Sequence, residues 1–88
     1  NSIYYGNNYY GLEAAAAGYF GTTPDKLSLA QAAMLAGLPQ APSYYNPKEN
    51  FTAAKERQRT VLTLMAAQGM ITSREADSAF YEDVGLKK

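Results

Sequence analysis

The sequence predicts an all-α fold of about four helices, and three features carry that expectation. Alanine- and leucine-rich stretches recur with apolar residues three and four apart, the spacing of one helix face. Two Ser/Thr-x-x-Gln/Glu pairs, Ser28 with Gln31 and Thr72 with Glu75, stand where helices would begin. Glycine or proline punctuates each stretch, and no segment alternates apolar with polar residues between hairpin turns as a strand does.

The first helix is expected from about Tyr9 to Phe20, through Leu12, Glu13 and the helix-favouring run Ala14 to Ala17. Asn7 or Asn8 can cap its start, and Gly21 suits the left-handed position after its end. Gly18 inside it costs roughly 0.5–1 kcal/mol relative to alanine, so a neighbour is expected to pack against the backbone there. Thr23-Pro24 can open a short helical turn, with proline where no amide hydrogen is needed. The second helix follows Ser28 and ends at Gly37, since Pro39 forbids propagation. Its residues Leu29, Ala32, Ala33, Leu35 and Ala36 make it apolar nearly all round, the mark of a buried helix. With two amphipathic helices after it, one side of this helix is expected to stay uncovered and to drive self-association.

From Leu38 to Asn50 the composition turns to proline, serine, tyrosine and asparagine, a loop stiffened by Pro39, Pro42 and Pro47. The third helix spans about Phe51 to Gln68, with Ala54, Val61, Leu62 and Met65 on one face and Lys55, Glu56, Arg57 and Arg59 mostly outside it. Gly69 ends it, with Met70 and Ile71 placed for the hydrophobic contact that follows a glycine cap. The last helix, about Ser73 to Asp83, is expected to bury Ala76, Ala79 and Phe80.

Composition narrows the chemistry. The 88 residues suffice for one small domain, and 47% hydrophobic content argues against disorder. Eight acidic residues cancel eight basic ones, so no charge surplus invites nucleic acid. Histidine and cysteine are absent, which removes the usual neutral-pH base, cysteine-ligated zinc and disulfides. No apolar run reaches the ~20 residues that cross a bilayer. The chain opens on Asn1 instead of methionine and reads as a piece of a longer protein.

Tyr4, Tyr5, Tyr9, Tyr10 and Tyr19 crowd the start of the chain, interleaved with Asn1, Asn7 and Asn8. Aromatic faces beside amide side chains suit the apolar face and hydroxyl rim of a sugar ring; equally, tyrosines can pack a small core with their hydroxyls at its edge. Glu13, alone among alanine and tyrosine, has the setting of a general acid with a raised pKa. Glycoside chemistry uses two carboxylates, and neither Asp25 nor Glu49 offers a partner pattern. Lys48, Lys55, Arg57 and Arg59 sit at or just after the Pro-rich loop; they could meet a phosphate, yet a charged helix face is the usual explanation for such residues.

Two long segments carry a family resemblance. Ile3-Tyr4-Tyr5-Gly6-Asn7, followed by Tyr10-Gly11-Leu12-Glu13-Ala14-Ala15-Ala16 and Tyr19-Phe20-Gly21, resembles the fourth conserved block of family 51 glycosyltransferases, the peptidoglycan polymerases. Asn1 matches the asparagine that closes that block's Tyr-Leu-Asn. Leu27 to Ala33, then Leu35 to Ser43 and Tyr45-Asn46-Pro47, resembles the fifth block. Ala54, Arg57, Val61, Leu62, Met65 and Gln68-Gly69-Met70-Ile71 extend the likeness to about Ala76. Gln31 stands where the family commonly has glutamate, and Thr22 where lysine often follows Tyr-Phe-Gly.

The resemblance implies that residues 1–88 are a single fragment, the C-terminal portion of a lysozyme-like glycosyltransferase domain. Such an enzyme displaces the lipid pyrophosphate of a growing glycan chain with the sugar hydroxyl of lipid II, at the outer face of the bacterial cell membrane. The family's catalytic glutamates and its pyrophosphate-binding lysines and arginines lie in upstream blocks, and none of those patterns occurs here. The fragment alone is therefore expected to be inactive and without a cofactor, a divalent metal belonging, if anywhere, to the parent enzyme. Its partners would be lipid II, the glycan chain and the upstream half of the domain. Tyr4, Gly6, Asn7 and Tyr10 are the candidates for lining the cleft, and Gln40, Ser43, Tyr45 and Asn46 for buttressing it. Two other readings stand beside this one: a non-catalytic helical interaction module, and a lysozyme-like hydrolase using Glu13.

Overall fold

The computed structural model describes residues 3–87, so the match of Asn1 lies outside the described residues. In order, the chain forms α1 (Leu12–Ala15), a π-helical turn (Ala16–Phe20), a 3-10 turn (Pro24–Lys26), α2 (Leu29–Ala36), α3 (Phe51–Ala67) and α4 (Ser73–Tyr81). The all-α class holds among the described residues, apart from a single antiparallel bridge between Tyr4 and Tyr10.

That bridge moves the start of the first helix. Asn7 and Asn8 do not cap it; at φ 54° and 64° they form the two central residues of a tight turn, closed by the Tyr9 amide donating to the Gly6 carbonyl at 2.9 Å. Two successive left-handed residues are the signature of a type I′ hairpin turn, for which asparagine has an unusual tolerance. The Tyr5 amide donates to Tyr9 O at 2.9 Å and the Gly11 amide to Ile3 O at 2.7 Å, so residues 3–11 form a small hairpin and helix begins only at Leu12. Gly21 does end the helix in the left-handed conformation, at φ 66°.

Both capping boxes form. Ser28 Oγ accepts from the Gln31 amide at 3.1 Å while Gln31 Oε1 accepts from the Ser28 amide at 3.0 Å. Thr72 and Glu75 repeat the arrangement at 3.0 and 2.8 Å. The third helix starts on Asn50, whose side chain accepts from the Ala53 amide at 3.3 Å.

α2 lies at the centre, and its apolar surface is covered within the chain. Ala30, Ala33, Met34 and Leu35 are buried by α3, by α4 and by the tyrosines of the hairpin, leaving only the small Ala32 and Ala36 exposed. The uncovered face expected on this helix is therefore absent, and with it the reason given for self-association. A helix eight residues long needs little cover, and the tail supplies part of it: Val84 is buried in the same core. The large exposed apolar side chains lie elsewhere, at Ile3, Tyr10, Leu12, Tyr44, Phe51, Leu64, Met70 and Tyr81. Met70 thus does not make the contact expected after Gly69, whereas Ile71 packs against the core.

On α3 the buried face comprises Ala53, Ala54, Gln58 and Leu62, with Val61 and Met65 half-buried at its margin. Phe80 of α4 is half-buried rather than buried, held between the Lys55 ammonium 4.3 Å and the Arg59 guanidinium 4.5 Å from its ring centre. α4 stops at Tyr81 because Glu82 is extended, and the chain turns back.

The returning tail lies at both positions that depart from the family pattern. Gln31 Nε2 donates to Val84 O at 2.8 Å, a bond that glutamate cannot make. The Lys87 amide donates to Tyr19 O at 2.8 Å, and its side chain lies across Gly21, placing a cation at the carbonyl end of the first helix beside Thr22. Gln31→Glu should keep the cap but lose the tail bond and set a carboxylate against a carbonyl. An expected loss of about 1–2 kcal/mol is measurable by urea unfolding; unchanged stability would mean that the tail is not held by this bond.

Candidate functional site

The hairpin and the Pro-rich loop meet over the π-helical turn, and tyrosines make the joint. Tyr9 lies directly over Gly18: a Cβ on that glycine would sit 2.0 Å from Tyr9 Cζ. The close neighbour expected at Gly18 is this ring. Its contact coincides with a widened helical turn, a departure from regular helix that recurs at functional sites. Tyr9 packs edge-on against Tyr19, with ring centres 4.9 Å apart and planes at 89°. Tyr19 is fully buried and donates its hydroxyl to Tyr5 O at 2.8 Å. Burial pushes its ionisation well above the ordinary tyrosine value, with the neighbouring Tyr9, Tyr4 and Glu49 adding to the rise.

Lys48 completes the joint from the loop. Its Nζ donates to the Tyr9 hydroxyl at 3.1 Å and lies 5.5 and 5.8 Å from the ring centres of Tyr9 and Tyr19. That hydrogen bond holds the Tyr9 hydroxyl below its usual pKa; partial burial opposes the shift, while Asn7 and the charges of Lys48 and Lys87 assist it. The ammonium makes this a charge-assisted hydrogen bond, stronger than a neutral side chain would provide.

The four candidate lining residues separate. Tyr10 is 61% exposed and stacks on Tyr4, with ring centres 4.7 Å apart and an interplanar angle of 35°. Tyr4 is half-buried, and its hydroxyl accepts from the Asn8 amide at 3.2 Å, bracing the turn. Asn7 is exposed at the tip. Gly6 is buried beneath the hairpin at φ +83°, where a Cβ would meet Pro42 O at 2.8 Å and the Tyr19 hydroxyl at 3.1 Å. Its place is in the joint with the loop rather than on the surface, and only glycine fits there.

The buttress residues separate too. Asn46 is 4% exposed, and its Oδ1 accepts from the Lys48 amide at 3.0 Å while its carbonyl accepts from the amides of Glu49 and Asn50. It shapes the turn that delivers Lys48 and starts α3. Tyr45 is half-buried, edge-on to Tyr44 at 5.0 Å, with the Arg57 guanidinium 5.9 Å from its ring centre. Gln40 and Ser43 are on the exposed side of the loop. The joint's principal members, Tyr9, Tyr19 and Lys48, are absent from both candidate sets. The crowding of five tyrosines at the start of the chain was the available signal for the first two; Lys48 carried none.

Glu13 is exposed on the first turn of α1, without the apolar enclosure that the hydrolase reading requires. Among the described residues no group of three or more acidic side chains is placed to hold a metal ion. No helix among the described residues is long and apolar enough to cross a membrane.

Comparison with known proteins places this helical chain in one family. The family model described as Transglycosylase matches residues 1–66. The chain is 49% identical over 87 residues to penicillin-binding protein 2D of Bacillus subtilis, covering 99% of this chain and 13% of that protein. It is 49% identical over 88 residues to penicillin-binding protein 1A of Neisseria flavescens, covering 100% of this chain and 11% of the relative. The crystal structure of penicillin-binding protein 1A from Haemophilus influenzae superposes with a TM-score of 0.93 at 38% identity, over 99% of this chain and 13% of that one. The chain belongs to the transglycosylase family. It spans roughly an eighth of the length of these relatives.

Proposed function

We propose that this chain is the C-terminal portion of a peptidoglycan glycosyltransferase domain, and that its hairpin presents Tyr10, Tyr4 and Asn7 to the glycan. The stacked Tyr4–Tyr10 pair carries the reading, because it leaves Tyr10 61% exposed on the same hairpin as the exposed Asn7. A sugar ring lays its C–H face on such a surface and turns its hydroxyls to the amide. In the parent enzyme, at the outer face of the bacterial membrane, lipid II and the growing strand would be the substrates. The upstream half would supply the glutamates and the pyrophosphate contacts, and hold any divalent metal. The segment by itself has no carboxylate pair for the transfer and is expected to be inactive.

The test is a titration of the 15N-labelled chain with a soluble β-1,4-linked N-acetylglucosamine oligomer. Shift changes confined to residues 3–11 are expected, and Tyr10→Ala should weaken binding roughly five- to tenfold, the scale of one aromatic contact. Binding unaffected by Tyr10→Ala, or no binding, would remove the support for a glycan-facing hairpin.

A further inference from the structure

We propose that Lys48 is a positioning residue: acting through Tyr9, it holds the hairpin in the one orientation that presents Tyr10 and Asn7 together. This rests on the glycan-facing reading above. Besides the Tyr9–Tyr19 edge contact, four contacts join the hairpin to the rest of the chain. Tyr9 lies on Gly18, Tyr19 donates to Tyr5 O at 2.8 Å, Gly6 rests on Pro42, and Lys48 donates to the Tyr9 hydroxyl at 3.1 Å.

The first three contacts are packing or a neutral hydrogen bond, and they decide that the hairpin docks. Lys48 differs because it acts on the outer end of Tyr9. It is half-buried, lies off the hydroxyl end of Tyr9 with its Nζ 5.8 Å from the Tyr19 ring centre, and has no carboxylate among the described ion pairs. Tyr9 in turn sits between the turn tip and the exposed tyrosine: its amide closes the Asn7–Asn8 turn and its carbonyl accepts from Tyr5. Tyr10 follows it directly. A shift of the Tyr9 ring therefore rotates the turn and the Tyr4–Tyr10 pair together. Asn46 sets the position of Lys48 by accepting from its amide at 3.0 Å, which ties the loop to the orientation of the hairpin.

The experiment compares the wild-type chain with Lys48→Met, Lys48→Arg and Tyr9→Phe. Saccharide affinity, thermal midpoint and amide exchange of residues 4–11 are followed together. Lys48→Met should leave the helices and the midpoint nearly unchanged, speed exchange in the hairpin, and weaken saccharide binding about fivefold to tenfold, as expected for one charge-assisted contact. Lys48→Arg retains a cation and a donor and should restore most of the affinity. Tyr9→Phe, which keeps the ring on Gly18 but loses the acceptor, should reproduce the Lys48→Met effect on exchange and binding. If Lys48→Met binds as tightly as wild type, Lys48 has no positioning role, although the glycan reading survives. If affinity falls only in proportion to a general loss of stability, its role is structural and the proposal fails. If the wild-type chain binds no saccharide, both readings fail.

Discussion

Gln58→Glu is expected to destabilise the fold by about 3–5 kcal/mol at neutral pH, the scale of a buried charge left without a partner. Gln58 is fully buried, and its Nε2 donates to Ala30 O at 2.8 Å across the α2–α3 contact. Its Oε1 has no hydrogen-bond partner. A carboxylate there would lose the donor and place a charge where nothing receives it. The carboxyl would take up a proton more readily when folded than when unfolded, so its pKa would be raised. The variant's stability should be greatest below the unfolded carboxyl value of about 4.3 and fall as pH rises through the folded value. Urea unfolding at pH 4 and pH 7 measures this. Gln58→Met, similar in shape and without an orphaned oxygen, should stay within about 1 kcal/mol of wild type, because the lost bond and the removed unsatisfied group offset. A loss from Gln58→Glu below about 1 kcal/mol would show that a donor reaches the site. Arg57, whose buried Nε also has no partner, is the nearest in sequence.

Gly18→Ala is expected to cost roughly 3 kcal/mol, the upper part of the range for overpacking. The new methyl would overlap the Tyr9 ring, with three ring carbons within 2.4 Å of it. Alanine's better helix propensity, worth about 1 kcal/mol, acts in the opposite direction and is too small to offset the clash. Tyr9 cannot yield cheaply, since moving its ring breaks the edge contact with Tyr19 and the Lys48 hydrogen bond. A double-mutant cycle with Tyr9→Ala isolates the effect: in that background Gly18→Ala should be neutral or stabilising, giving a coupling of about 3–4 kcal/mol. Additive losses would mean that Gly18 meets some other group.

Local signals show how far the sequence could be read. Ser28–Gln31 and Thr72–Glu75 were legible because a capping box needs only residues three apart, and Gly21 because only its own backbone conformation is involved. The Asn7–Asn8 turn was equally local and went unread, since asparagine serves both as cap and as left-handed turn residue. The choice between them depended on Tyr4 pairing with Tyr10. The exposed members of the candidate site, Tyr10 and Asn7, stand on that turn.

What the sequence determined by itself was the helical class, the helix ends that carry their own caps, the family and a need for contact at Gly18. These depend on neighbours within a few residues or on long matching segments. The tertiary structure alone decided that α2 is covered within the chain, that Gly6 is buried, and that Gln31 holds Val84 across 53 residues. It also decided that Lys48 reaches Tyr9 across 39. Each of these is a contact between distant segments, and its partner is chosen by which faces the packed helices bring together. A lysine in a polar loop has the same local pattern whether it meets water or a tyrosine, so only the packed chain distinguishes the two.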